Sequence, residues 1–367
     1  MSNRRLTYPL LPFSQLVYDM TRWMPGVYKF PLTYTWPGGT KEKERIELAI
    51  RTALLNHPVF QMRVNWRGQQ YASPVHDILH GPYHDITLTT NGEDLIINLT
   101  ISRILGDGKS GEILLEDVFR AYEGKPLEPD DYWGYLEYVE QRKMSKHYAD
   151  SKVWLESEFA DKFIPVRPTI DKHLWTILPP KAGLYKADYT DLLERIIHLS
   201  ETKYLSMDGF FSLCAALAIA EYCGADAAAL TWAYEGRERP EEQRVFGSLH
   251  RDIPFQIKNL QSPISSHQSD LIRQARNQIR SGIAHSDYPY TLTAPSSKRW
   301  NYAVNVLRVP DMDYKHKYAY ALLDVEIHES PDSLALWYRY SATHYKSESI
   351  GRFADLVHKY ALWLLSE

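Results

Sequence analysis

The segment between a predicted strand at 94–103 and a predicted helix at 110–122 contains residue types whose spacing could bind phosphate. Gly108-Lys109-Ser110 has the form of the end of a nucleotide-binding loop. That loop requires another glycine five positions before its second glycine. Arg103 stands at this position, and its Cβ would obstruct the backbone cradle that holds the phosphates. The sequence therefore predicts no nucleotide site here.

Three histidines at intervals of four residues, His76, His80 and His84, form the main candidate for a metal site. On one helix this spacing would place them on the same face. Gly81-Pro82 separates the second from the third, however, and proline interrupts helices. No cysteine accompanies them. We therefore interpret them as solvated histidines of a loop and predict no metal ion.

The sequence offers no signature of nucleophilic catalysis. It contains no Gly-x-Ser-x-Gly motif, which exposes a serine nucleophile in many hydrolases. Its two cysteines, Cys214 and Cys223, lie in an apolar helical pattern and are expected to be buried thiols. The abundance of tyrosine (26) and tryptophan (10) is compatible with a sugar- or peptide-binding cleft, although large aromatics more often fill a core.

Composition and charge exclude several classes of protein. The 367 residues are 44% hydrophobic and 24% charged, which is typical of globular chains. The net charge of −4 gives no electrostatic support for nucleic-acid binding. No apolar run approaches the roughly 18 residues of a membrane helix, and the N-terminal residues lack the apolar core of a signal peptide. A cytoplasmic, monomeric protein without a disulfide framework is expected.

The elements that must position these residues are predicted from periodicity and from breaks at proline and glycine. Helices and strands alternate without a strict βαβ rhythm, which favours an α/β fold with a mixed sheet and α+β character. Prolines gather where the periodicity fails, between 164 and 180, and predict domains at 1–170 and 171–367. The predicted helices are 41–56, 110–122, an amphipathic segment 131–159, 206–223, 268–281 and 346–365; the predicted strands are a hairpin at 59–71, then 94–103, 228–234, 251–257, 300–307, 318–328 and 333–340.

Several short motifs follow one another along the chain in an order that is typical of one protein family. They are Tyr8-Pro9-Leu10, Asn56-His57-Pro58-Val59 with Arg63, Asp107-Gly108, Gly236-Arg237, Ile253-Pro254-Phe255 and Asp287-Tyr288-Pro289-Tyr290. Together they resemble a nonribosomal peptide synthetase condensation domain, of the chloramphenicol-acetyltransferase-like superfamily. The resemblance implies two acetyltransferase-like subdomains in a V-shaped pseudo-dimer, with a tunnel for pantetheine arms. It also implies peptidyl or acyl carrier proteins as partners, substrates presented on phosphopantetheine and no bound cofactor.

The main departure from the family lies in its His-His-x-x-x-Asp-Gly motif. Ser102 replaces the first histidine, and Arg103 replaces the second, which the family uses in catalysis. Asp107 and Gly108 are retained, and the resemblance implies that this aspartate is structural and pairs with Arg237. A second departure is Arg251, which stands where the family has an asparagine.

An arginine at the catalytic position limits the chemistry that can remain. The guanidinium of Arg103 stays protonated and has no acceptor, so it cannot act as a general base. Losing such a base costs ~10²–10⁴-fold. An α-amine with a pKa of ~8 is partly neutral near pH 7, so amide formation is weakened less than ester formation. Arg103 could steady a developing oxyanion or bind a carboxylate or phosphate.

Two functions therefore stay open, and the sequence leaves open whether the chain is an enzyme. The first is amide-forming acyl transfer from a carrier-bound thioester, with Arg103, Asp107 and Gly108 at the catalytic site. The second is an inactive docking module that binds carrier proteins or recruits a tailoring enzyme. Structural roles are expected for the motif residues Ser102, Arg63 and Arg237. The histidines that could replace the lost base are His250, His285 and His328.

Overall fold

The computed structural model describes residues 6–23, 28–160, 171–172, 180–258, 260, 267–289, 304–308, 319 and 321–366. These residues form two compact units. Unit 1 comprises the described residues up to 144 together with 235–250, and unit 2 comprises the described residues of 145–234 and those from 251 onward. The division thus differs from the expected boundary at 170/171, which adjoins residues outside the described ranges. It also differs because 235–250 returns to unit 1 from within the second half of the chain.

Unit 1 contains two small antiparallel sheets with helices. In one sheet β6 (Asp94–Ser102) lies between β2 (Lys29–Trp36) and β5 (His84–Asn91), and in the other β4 (Gln69–Ala72) lies between β1 (Tyr8–Pro9) and β3 (Met62–Val64). On β6 the apolar residues Leu95, Ile97 and Ile101 are buried, which matches the alternation of a half-buried strand. The elements are β1 (Tyr8–Pro9), α1 (Pro12–Trp23), β2 (Lys29–Trp36), α2 (Lys43–Asn56), β3 (Met62–Val64), β4 (Gln69–Ala72), β5 (His84–Asn91), β6 (Asp94–Ser102), α3 (Gly108–Tyr122), α4 (Tyr132–Arg142) and, within 235–250, the helical turn α8 (Pro240–Gln243).

Unit 2 is built on a six-stranded sheet, in which the strands follow one another in the order β7 (Ala182–Asp188), β12 (Ser333–Ser341), β11 (Leu323–Ser330), β10 (Val304–Arg308), β8 (Ala228–Tyr234) and β9 (Arg251–Ile257). Strand β10 runs parallel to both of its neighbours and the other pairs are antiparallel, which confirms the predicted mixed sheet. The elements are α5 (Lys146–Leu155), β7 (Ala182–Asp188), α6 (Leu193–Lys203), α7 (Met207–Cys223), β8 (Ala228–Tyr234), β9 (Arg251–Ile257), α9 (Gln268–Ala284), β10 (Val304–Arg308), β11 (Leu323–Ser330), β12 (Ser333–Ser341) and α10 (Ser347–Leu364).

Helix α7 forms the centre of the unit 2 core. Its residues from Gly209 to Ala220 are all buried, as expected for a helix that is apolar on every side. Ser206 caps its N-terminus by accepting a hydrogen bond from the Gly209 amide at 3.2 Å, and Gly224 ends it with a φ of 62°. Cys214 is buried as expected, whereas Cys223 is only half-buried because it lies in the last turn.

The long amphipathic segment predicted at 131–159 is divided in the structure. Helix α4 ends at Arg142, and α5 begins after Ser145, whose hydroxyl accepts a hydrogen bond from the Tyr148 amide at 3.1 Å. A serine cap in the middle of an apolar period therefore starts a new helix. Among the described residues no single helix is long and apolar enough to cross a membrane, although Thr190–Lys203 and Met207–Cys223, bent by 103°, pass that test as a pair.

Candidate functional site

The connection between β6 and α3 places the residues of the degenerate motif. The Ser102 amide donates to the Tyr83 carbonyl at 2.7 Å, and the Arg103 amide donates to the Tyr28 carbonyl at 2.8 Å. Ser102 is buried, and Arg103 is half-buried. The backbone on which the Arg103 side chain is mounted is therefore fixed from two directions.

Asp107 begins α3 as its N-cap. Its Oδ1 accepts hydrogen bonds from the amide and the hydroxyl of Ser110, at 3.0 and 2.9 Å, and the Asp107 amide donates back to the Ser110 hydroxyl. This reciprocal arrangement satisfies backbone donors that the helix cannot satisfy itself. Helix α3 consequently starts at Gly108, two residues before the predicted start, and Gly108 is exposed in its first turn.

The Glu235–His250 segment, which is distant along the chain, supplies the other partners of Asp107. Arg237 donates through both terminal nitrogens, each at 3.0 Å, to the two carboxylate oxygens. The amides of Leu249 and His250 donate to Oδ2 at 2.9 and 3.1 Å. With the two bonds from Ser110, six donors surround a carboxylate that is 7% exposed. The structure thus brings together Asp107 and Arg237, the pair that the resemblance implied.

The electrostatics of this pair follow from burial and geometry. Burial alone would raise the pKa of Asp107, but the charge and hydrogen bonds of Arg237 outweigh it and lower that pKa to about 2. Burial likewise opposes the charge of Arg237, and Asp107 raises the pKa of the guanidinium in return. Both groups therefore remain charged at neutral pH, and Asp107 is not available as a proton acceptor.

The loop and the Glu235–His250 segment also meet through a close backbone approach. A Cβ on Gly106 would lie 2.7 Å from a ring carbon of Phe246 and 2.8 Å from the Cβ of Ser110. Ser110 Oγ also lies 2.9 Å from the Gly247 carbonyl oxygen, and Arg237 donates to the same carbonyl at 3.2 Å. Only a glycine fits at position 106 without displacing the segment.

A comparison with protein families decides the identity of this arrangement. The family model described as "Condensation domain" matches residues 77–307, which is more than half of the chain. The chain belongs to the condensation domain family. No curated protein matches the sequence.

Solved structures of low sequence identity share the fold of this condensation domain. A starter condensation domain of rhizomide synthetase, crystallised as a variant with C8-CoA, is 14% identical over 98% of this chain and 95% of its own, with a TM-score of 0.80. The cyclization-docking bidomain of EpoB from Sorangium cellulosum is 14% identical over 100% and 86%, with a TM-score of 0.81. The epimerization domain from the third module of tyrocidine synthetase B is 15% identical over 98% and 97%, with a TM-score of 0.79.

Within this condensation domain, the other motif residues have local structural contacts. Arg63 lies on β3 and donates to the Met62 carbonyl at 3.1 Å. Arg251, on β9 of unit 2, donates to the Ser286 hydroxyl at 2.7 Å and to Asp287 at 3.3 Å. The last residue of the Asp287-Tyr288-Pro289-Tyr290 motif lies outside the described residues.

The three histidines considered as replacements for the base lie in different places. His250 is in unit 1, where its amide binds Asp107 and its ring meets Phe13 edge-on with centroids 4.1 Å apart. His285 and His328 are in unit 2, where their rings stack on Trp154 and Trp337 at 4.6 and 3.9 Å. His250 is therefore the member of the three that lies beside the motif aspartate.

The interpretation of the three spaced histidines as a solvated loop is wrong for His84. This residue begins β5 and is 4% exposed, with Nε2 at 2.8 Å from the Ile78 carbonyl. Only two apolar residues, Ile86 and Leu88, alternate with polar residues along this strand, so the apolar pattern is short. His80 is half-exposed and pairs with Asp85 at 2.6 Å. Within the described ranges no group of three or more His, Cys, Asp or Glu is arranged to hold a metal ion.

Sequence reasoning missed a second buried charge cluster in unit 1. His57, at the end of α2, lies between the carboxylates of Asp117 and Asp130 and is fully buried. Asp130 is 73 positions from His57 along the chain, and no local spacing links them. The only signal was His57-Pro58 itself, which served as a family motif and not as a charged site.

Proposed function

We propose that this condensation domain transfers an acyl group from a carrier-bound thioester to an amine without the usual catalytic histidine. The observation that carries the proposal is the intact framework around Asp107 and Arg237, which fixes the α3 end of the β6–α3 connection. In the reaction the amine nitrogen attacks the thioester carbonyl carbon. The C–N bond forms, the C–S bond breaks, and the proton released by the amine goes to the departing thiolate.

The role assigned to Arg103 is stabilisation of charge. Its side chain extends from the fixed connection four residues before Asp107 and carries a permanent positive charge. A guanidinium can donate hydrogen bonds to the oxyanion that forms when the amine adds, but it cannot remove the proton of the amine. The acceptor must therefore arrive as the neutral amine, and catalysis rests on positioning the two substrates.

Thioesters of pantetheine are the proposed donors. The rhizomide synthetase domain with the same fold was crystallised with C8-CoA, whose acyl group is carried on pantetheine. We extend that chemistry to this chain and propose acyl or peptidyl carrier proteins as its partners.

The test measures thiol release from a panel of acyl- and aminoacyl-pantetheine thioesters with pooled amines. We expect amine-dependent release by the wild-type protein and a loss of about 10²-fold or more in Arg103→Ala, because an oxyanion donor is removed. Arg67→Ala is the matched control, since Arg67 is exposed in the β3–β4 turn. Unchanged release in Arg103→Ala would contradict the role of Arg103.

The substitution Arg103→His asks whether only the base is missing. Both Arg103→His and Arg103→Gln lose the guanidinium, and only the histidine supplies a base, so the His variant should release thiol about 10²-fold or more faster than the Gln variant. A control that carries Arg103→Gln supplies a polar side chain without a base of suitable pKa. Equal rates for the His and Gln variants would mean that the position no longer faces the reacting atoms.

The second candidate function is docking without catalysis. The observation that favours it is the absence of any proton acceptor at Ser102 and Arg103 other than a hydroxyl. The two functions separate in one set of measurements. Docking predicts no amine-dependent release by the wild type or Arg103→His, together with binding of loaded carrier proteins that Arg103→Ala weakens.

A further inference from the structure

The buried cluster around His57 links the core of unit 1 to the segment that carries Arg237. Nδ1 of His57 is 2.8 Å from Oδ2 of Asp130, and Nε2 is 3.2 Å from Oδ2 of Asp117. The three side chains are at most 1% exposed. The Nδ1 contact has hydrogen-bond geometry, and the Nε2 contact lies within ion-pair distance. Buried carboxylates require partners, and here one imidazole serves two of them.

The two carboxylates also determine the protonation state of the ring. A neutral imidazole has one donor nitrogen and one acceptor nitrogen, so one carboxylate would face a lone pair. In the imidazolium both nitrogens donate. Arg244 contributes a second cation by pairing with Asp117. The charges of the two buried carboxylates, Asp117 and Asp130, are matched by those of Arg244 and His57 only when His57 is protonated.

Both carboxylates hold the Glu235–His250 segment. Oδ2 of Asp130, the oxygen that faces His57, accepts a hydrogen bond from the Phe246 amide at 3.0 Å. Asp117 holds the segment through its pair with Arg244. The Phe246 ring packs on the His57 ring with centroids 5.2 Å apart. The cluster is therefore the second point, after Asp107, at which side chains fasten this segment to the rest of unit 1.

We propose that His57 is a positioning residue: as a buried imidazolium it orients Asp117 and Asp130 to bind the Glu235–His250 segment, and loss of its proton loosens that segment. The segment carries Arg237 and the amides that bind Asp107, so its attachment at the cluster positions the motif loop as well. The proposal does not depend on the proposed function, because a transferase and a docking module both need this loop in place.

The direction of the pH dependence follows from the charges that face His57. Burial opposes the imidazolium, but Asp117 and Asp130 outweigh burial and raise the pKa of His57 above 6.5. The uncharged Asn56 side chain donates a hydrogen bond to Asp117. Arg244, which pairs with Asp117, also pairs with Glu116 and Glu128. A raised histidine pKa gives stability that is complete below the ordinary pKa and is lost as the pH rises through the pKa in the folded protein.

Hydrogen–deuterium exchange at the Phe246 and Gly247 amides tests the proposal on the intact chain. Between about pH 6 and about pH 9, protection factors corrected for intrinsic exchange should fall in the wild type. The protection factors should fall up to tenfold if the pKa of His57 in the folded protein is one pH unit above its ordinary value of about 6.5, and more if that difference is larger. In His57→Gln, protection of these amides should be lower at the acidic end and independent of pH.

Two further variants make the outcome specific. His84 is a buried histidine of the same unit whose pKa is lowered by burial, so His84→Gln should retain the pH dependence of the wild type. Asp130→Asn removes one of the two carboxylates, so it should move the midpoint to lower pH. A wild-type protection profile without pH dependence would overturn the proposal, as would a His57→Gln profile identical to the wild type.

A measurement on the wild-type protein covers the case in which His57→Gln fails to fold. Nitrogen chemical shifts of the His57 ring report how many ring nitrogens carry a proton. Both should be protonated at about pH 6.5, where an unperturbed histidine is half neutral. A ring that is mostly neutral at that pH would overturn the proposal.

Discussion

Each unit contains a buried carboxylate that accepts hydrogen bonds from two nitrogens of one arginine, and the two pairs have different structural roles. In unit 1, Arg237 binds Asp107 across a gap of 130 positions in the chain. In unit 2, Arg339 binds Glu326 at 2.8 and 3.0 Å between the neighbouring strands β12 and β11. The Arg339–Glu326 pair lies on a sheet whose strands are already held by backbone hydrogen bonds. The Arg237–Asp107 pair, in contrast, attaches a segment that belongs to no sheet.

The pairs also differ in what would remain if the carboxylate lost its charge. Five of the six contacts of Asp107 are N–H donors, which cannot accept a hydrogen bond from an amide NH₂ group, and only the Ser110 hydroxyl can adapt. Glu326 faces Arg339 and also the Nε2 atom of His328, at 3.4 Å, and that nitrogen can become an acceptor by changing tautomer. Asp324 is directly opposite Arg339 in the register, on the same face of the sheet. Isosteric amides at the two positions therefore measure the difference.

The largest effect is expected for Asp107→Asn. Removing one partner of a buried pair leaves Arg237 as an uncompensated charge, which costs about 3–5 kcal/mol of the free energy of unfolding. Chemical denaturation measures the loss, and exchange at the Leu249 amide reports whether the segment detaches. An Arg237→Ala background is the control, because there the same substitution should cost less than half as much. An unchanged midpoint in Asp107→Asn would refute the structural role of the pair.

The sequence predicted the elements of unit 2 better than the contacts of the Glu235–His250 segment. Helix α7 follows from an apolar run with a serine before it and a glycine after it, all of which are local features. The Glu235–His250 segment connects β8 and β9, which pair with each other in unit 2. From the order of elements along the chain one would therefore place the segment in unit 2, whereas it belongs to unit 1. Its attachment to unit 1 depends on buried charges at distant positions, which periodicity cannot detect.

Elements with mixed or polar faces were also missed. Strand β7 carries no clear alternation of apolar residues, and α1 begins at Pro12 directly after a short strand that was noted only as a motif. The pair of Asp107 and Arg237 was available only because a family resemblance linked the two motifs. The cluster of His57, Asp117 and Asp130 had no such link, and only the folded backbone brings its members together.

A second and smaller effect is the acid sensitivity that Asp107 gives to the fold. Its pKa falls from 3.8 to about 2 on folding, which corresponds to about 2 kcal/mol. Because the pKa is lowered, this stability is complete above about pH 4 and is lost as the pH falls toward about 2. The difference in unfolding free energy between the wild type and Asp107→Asn should therefore shrink over that range. A difference that stays constant from neutral pH to about pH 2 would contradict the lowered pKa.

The smallest effect is expected for Glu326→Gln, which completes the comparison. Weakening a charge-assisted pair costs about 1–2 kcal/mol where other acceptors remain, less than the loss at Asp107. The ladder between β11 and β12 should stay closed, because backbone bonds and not this pair define its register. Denaturation gives the energy, and exchange at the amides of β11 shows whether the strand opens. A cost equal to that of Asp107→Asn would mean that charge burial alone, and not the attachment of a distant segment, makes these pairs important.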